Sequence, residues 1–170
     1  MSLSASKLNW RNLRPEEQRR LLRAKLEMKH RLDETKVERF LPNRMQKPFL
    51  ESKARISALI AANKGGKTCI GAIKCWRFVK EGGKIFRIVG SLGFERGIRD
   101  TICPELKKWI PPHRIKSEKA NSQGVVVRMV LAGDNGQDSI ISMMSGEQED
   151  MSFEGDIIHG AWLDEPPRKA

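Results

Sequence analysis

The sequence predicts an α/β domain whose central, mostly parallel sheet is flanked by helices, with a helical segment added in front. Three observations carry that expectation. From Arg55 onward short apolar runs alternate with helical stretches; a glycine turn, Gly65-Gly66-Lys67-Thr68, stands between an apolar run and a helix pattern; and the last apolar run ends in two carboxylates, Asp164-Glu165. At 170 residues the chain has the size of one ordinary domain, able to bury roughly 70% of the surface its unfolded form would expose.

Residues 1–40 read as a basic helical segment. Pro15 followed by Glu16 and Glu17 suits a first helical turn, and Leu21, Leu22, Leu26, Met28 and Leu32 form a partial stripe in a charged amphipathic helix, or a broken pair, expected to run to about Phe40. Such a stripe is expected to pack on its own domain, with a partner or DNA as the alternative. Trp10 is kept open as a contact for a partner. The stretch that follows, "LPNRMQKPF", is expected to be extended, because Pro42 and Pro48 discourage helix.

Residues 41–170 read as a partial catalytic domain. Expected strands are Ile56 to Ala61, Lys84 to Gly90, Gly124 to Ala132, Asp138 to Met144 and Ile157 to Leu163; expected helices are Lys67 to Lys80 and Phe94 to Trp109, the second stopped by Pro111-Pro112. The Asn-Gly pair in "GDNGQ" predicts a hairpin between the third and fourth strands. Strand alternating with helix places a ligand site beyond the carboxyl ends of the strands.

A formal net charge of +11 favours a polyanionic partner, since Lys and Arg facing phosphates release counterions. Residues 1–54 carry 14 Lys and Arg against 7 Asp and Glu, so more than half of that charge lies in the first third of the chain. Cys69, Cys75 and Cys103 form no CxxC pair and read as reduced thiols of a cytosol-like compartment. No apolar run reaches about 18 residues, so neither secretion nor membrane spanning is expected. His30, His113 and His159 are scattered without zinc spacing, and Trp76, Trp109 and Trp162 read as core.

Set against G-x-x-x-x-G-K-[ST], the stretch Ala61-Ala62-Asn63-Lys64-Gly65-Gly66-Lys67-Thr68 departs only at its first position, where Ala61 stands for glycine. Consecutive backbone N–H groups at a helix opening attract phosphate oxygens, Lys67 can reach the β and γ phosphates, and the Thr68 hydroxyl can ligate Mg²⁺. About 96 positions downstream, "WLDEPP" ends an apolar strand in Asp164, placed to hold the Mg²⁺ shell, and Glu165, placed to orient or deprotonate an attacking water. The pair reads as a Walker A loop with a Walker B strand: an Mg-dependent nucleotide triphosphatase.

In that order, Gln46, "AANKGGKT", "GSLGFERGIRDTICPELKKWIPP", a hairpin and "SGEQEDMSFEGDIIHGAWLDEPP", the chain from about Leu41 to Pro167 resembles the ATPase half of bacteriophage terminase large subunits, motors that package viral DNA. The resemblance implies a P-loop NTPase fold of the RecA or ASCE type and an adenine-reading role for Gln46, in the context Gln46-x-x-Phe49. It implies phosphate contacts from Ala62, Asn63, Lys64, Gly65, Gly66, Lys67 and Thr68, Mg²⁺ on Thr68 and Asp164, and catalysis by Lys67 and Glu165. It also implies duplex DNA, a portal protein and a small terminase subunit as partners, a homo-oligomeric ring in the assembled motor, and the cytoplasm of an infected bacterium as its place.

Two departures stand out. Many terminases carry Arg where this loop has Asn63, followed here by Lys64, so the charge that meets the transition state is open and could come from a neighbouring subunit. The sequence ends at Ala170, where terminases continue into further strands and a nuclease domain, so it reads as an engineered fragment, a split-gene product or a truncated relative, without nuclease activity. Two rival readings remain: another P-loop DNA motor such as a helicase-type ATPase, and a catalytically incomplete chain that binds nucleotide or DNA.

Overall fold

A computed structural model describes residues 13–61, 65–90, 93–146 and 157–164. The element order is α1 Pro15–Glu34, α2 Gln46–Glu51, α3 Lys67–Val79, β1 Ile85–Gly90, a π-helix Gly93–Ile102, α4 Cys103–Trp109, a short 3₁₀ turn Pro112–Arg114, then β2 Ile115–Ala120, β3 Val126–Ala132, β4 Asp138–Ser145 and β5 Gly160–Asp164. The strands form one mixed five-stranded sheet in the order β2-β3-β4-β1-β5, flanked by helices. β1 pairs in parallel with β4 and β5, while β3 pairs antiparallel with β2 on one side and β4 on the other.

Alternation along the strands decides which face meets the helices. In β4, Ser139, Ile141, Met143 and Ser145 are buried and the residues between them are not. Ile141 and Met143 join Phe86 and Ile88 of β1 and Met129 and Leu131 of β3 in one cluster with Ile70, Ile73, Trp76 and Val79 of α3 and Leu106 and Trp109 of α4. Trp76 and Trp109 are core residues, as expected, and the three cysteines form no disulfide. The predicted hairpin is present: Asn135 accepts the Gln137 N–H at 2.9 Å within the turn.

Helix α1 differs from expectation. It ends at Glu34 rather than near Phe40, and its stripe does not pack: none of its residues is buried, and Leu22, Leu26, Met28 and Leu32 are each at least half exposed. The reason lies in the spacing. At about 100° per residue, Leu22 and Leu26 lie roughly a third of the circumference away from Leu21, Met28 and Leu32, so no single face is apolar. The helix is tied to the body at its C-terminal end instead. Glu34 accepts from His113 at 2.8 Å and from Arg114, His30 stacks on His113 with ring centres 4.1 Å apart, and Val37 enters the core just beyond.

Three further expectations are corrected, and one strand was not expected. Ile56 to Ala61 forms no strand, and Ile56 and Ile60 are almost fully exposed. A strand is stabilised by pairing, and no described strand pairs with this segment, although β5 at the end of the sheet keeps an open edge. The supposedly extended stretch after Leu41 contains α2, because Pro48 falls at its third position, where a missing N–H costs no helical bond. The helix expected from Phe94 is a π-helix as far as Ile102. Its buried residues Gly93, Gly97, Ile98 and Ile102 share one face only under the wider i→i+5 winding, whereas an α-helix would spread them over about half its circumference. Strand β2, exposed along almost its whole length, carries no apolar alternation to announce it and is specified by its pairing with β3.

Candidate functional site

The site is built where the glycine turn enters α3. Gly66 is the residue before the helix and has φ +76°, a left-handed conformation open to glycine at little cost. That geometry leaves the first N–H groups of α3 directed out of its N-terminus, where the aligned peptide dipoles amount to about half a positive charge. Thr68 lies in this first turn, half-buried. The Lys67 ammonium donates to the carbonyl of Ala61 at 3.1 Å, reaching from the end of the loop to its beginning.

Three contacts hold the start of α3. On one side α2 lies against it: Lys74 donates to the carbonyls of Phe49 at 2.7 Å and Ser52 at 3.4 Å, with its ammonium 4.3 Å from the centre of the Phe49 ring. Burial holds the Lys74 pKa below that of a free lysine. On another side Cys69 meets Glu105 of α4, which accepts from the Trp109 indole at 2.8 Å and the Lys108 ammonium at 3.2 Å. Burial raises the Glu105 carboxyl, but these donors outweigh it and hold it below its ordinary value, while burial beside Glu105 pushes the Cys69 thiol up.

The third contact brings in β5. A Cβ built on Gly71 would stand 2.5 Å from two ring carbons of Trp162, so helix and strand approach as closely as they do only because residue 71 has no side chain. Helix α3 reaches β1 through the short turn between Val79 and Ile85 and so runs antiparallel to it, while β5 runs parallel to β1 with Asp164 opposite Gly90. The N-terminus of α3 and the C-terminus of β5 therefore lie at the same end of the sheet. Lys67 precedes Gly71 by about 6 Å of helix, and Asp164 follows Trp162 by a similar length of strand.

Of the residues singled out in the sequence, Gly65, Gly66, Lys67 and Thr68 are thus brought to the sheet end where β5 delivers Asp164. Gln46 joins them from α2, donating to the Gly65 carbonyl at 3.3 Å. Ala62, Asn63, Lys64, Glu165 and Trp10 lie outside the described residues. Sequence reasoning missed Asn43, Lys74, Gly71 and Glu105 as supports of the turn. One signal for the first was present: Asn43-x-x-Gln46 has the spacing of a capping box.

Thr68 and Asp164 offer the hard oxygen donors that magnesium takes, and magnesium commonly uses only one or two protein ligands beside phosphates and water. Among the described residues no group of three or more His, Cys, Asp or Glu side chains could hold a metal unaided. No described helix is long and apolar enough to cross a membrane. No protein-family model, curated protein or solved structure matches the chain.

Proposed function

We propose that this chain is an ATP-binding and ATP-hydrolysing domain of the terminase large-subunit kind, with a P-loop fold, whose hydrolysis cycle in the complete protein moves duplex DNA. The observation that supports this reading is the convergence of Gly65-Gly66-Lys67-Thr68 and Asp164 on one end of the sheet, fixed by the close approach of Gly71 and Trp162.

In this reading the backbone N–H groups entering α3 bind the phosphates and Lys67 offsets charge at the β and γ positions. Thr68 and Asp164 hold Mg²⁺, which neutralises phosphate charge when bound. Glu165, adjacent to Asp164 in sequence, orients the attacking water and takes its proton. The excess of Lys and Arg over the first 54 residues supplies charge for a DNA backbone. A portal protein, a small terminase subunit, a ring of like subunits and an infected bacterial cytoplasm follow from the resemblance as parts of the same proposal.

Steady-state phosphate release from MgATP tests the enzymatic part. Glu165→Ala is expected to lower turnover by about 10² to 10⁴ with nucleotide affinity kept; unchanged turnover would remove Glu165 from the chemistry.

A further inference from the structure

Among the described residues, Gln46 is the polar side chain of α2 that reaches the glycine turn, and both ends of its amide are engaged by the protein. Asn43 Oδ1 accepts the backbone N–H groups of Met45 and Gln46, each at 3.0 Å, and Gln46 Oε1 accepts the Asn43 N–H at 3.0 Å in return. This reciprocal pair, just ahead of α2, has the spacing of a capping box, and it fixes which end of the amide points where. The Nε2 end is turned to the Gly65 carbonyl at 3.3 Å, and a Cβ on Gly66 would come within 2.7 Å of it. Gln46 is only 8% exposed. Lys74 anchors the far end of the same short helix to α3, so the donor at Nε2 is presented from a fixed platform.

We propose, on the phosphate-loop reading above, that Gln46 is a positioning residue for the loop: it holds the Gly65 carbonyl aside and keeps Gly66 left-handed, so that the N–H groups entering α3 are ready for a polyphosphate. The ligand class it serves is the phosphate chain, whatever base is attached. The adenine-reading role implied by resemblance makes the opposite prediction.

Calorimetric binding of MgATP, MgGTP and magnesium tripolyphosphate to the full chain and to Gln46→Met separates them, with Asn43→Ala as a control that breaks the cap but keeps the donor. Gln46→Met is expected to weaken all three ligands by a common factor of about five, the loss of one hydrogen bond. Asn43→Ala is expected to lower the melting temperature about as much as Gln46→Met does, while weakening the three ligands alike and by less than Gln46→Met. A loss confined to ATP, with tripolyphosphate unaffected, overturns the proposal in favour of base recognition. Affinity that falls in step with melting temperature in both variants overturns it in favour of a merely structural cap. If the unaltered chain binds none of the three ligands, the phosphate-loop reading fails and this proposal with it.

Discussion

Substituting Gly71 by alanine separates the stability of the fold from the geometry of the site. The new Cβ would lie 2.5 Å from Cε2 and Cζ2 of Trp162, and carbon atoms in contact sit at about 3.5 Å, so helix and strand must part by about 1 Å. Overpacking of this kind costs about 1–3 kcal/mol. Alanine is better than glycine inside a helix by about 1 kcal/mol, which offsets part of it. The net loss of stability is therefore small, about 0–2 kcal/mol. The site should suffer more, because Trp162 precedes Asp164 by two residues, and a misplacement of about 1 Å can cost about 10²-fold in rate. Urea unfolding and MgATP turnover on the same samples read the two effects. Adding Trp162→Leu, which removes the opposing ring, is expected to restore much of the lost turnover. Wild-type turnover in Gly71→Ala, with the fold intact, would refute the claim that this contact sets the distance between Asp164 and the loop.

Two other outcomes follow from the fold. Glu34 and Glu105 are both held below their ordinary value of 4.5, because their donors outweigh the opposing effect of burial. Their contribution is therefore fully present above that value and is lost as pH falls through their lower folded values. Glu34→Gln and Glu105→Gln are each expected to make unfolding free energy less dependent on pH between 5 and 3, measured by urea titration, and an unaltered slope would contradict the assignment. On α1, Leu26→Glu and Met28→Glu are expected to change stability by no more than about 0.5 kcal/mol, since both side chains are already more than half exposed; a loss of several kcal/mol would mean the stripe is covered.

How much of this could be read from the residues depends on where each element gets its stability. Helix α3 and strands β1, β3 and β4 were legible because their own apolar pattern specifies burial on the sheet's helix-covered face; β5, expected from Ile157, begins at Gly160, and Ile157 and Leu163 are exposed. The glycine turn was legible because a left-handed Gly66 at a helix opening has a local chemical signature. Ile56 to Ala61 shows the converse: its residues favour strand, but a ladder forms only where a segment docks on a neighbour, and it does not dock on the open edge of β5. Strand β2 is the mirror case, a polar segment made a strand by β3 alongside. The π winding after β1 could have been suspected from the 4- and 5-residue spacings of Gly93, Gly97, Ile98 and Ile102. The supports of the site were the least legible part. Lys74 binding carbonyls 22 and 25 residues earlier and Trp162 seated on Gly71 are long-range contacts with no local mark.

Nucleotide-dependent stability tests the central claim most directly. If Gly65-Gly66-Lys67-Thr68 is a phosphate loop, MgATP at about 100 times its dissociation constant should raise unfolding free energy by about 2.7 kcal/mol in the unaltered chain. The same concentration should do little for Lys67→Ala. No gain in the unaltered chain, or an equal gain in the variant, would contradict the account.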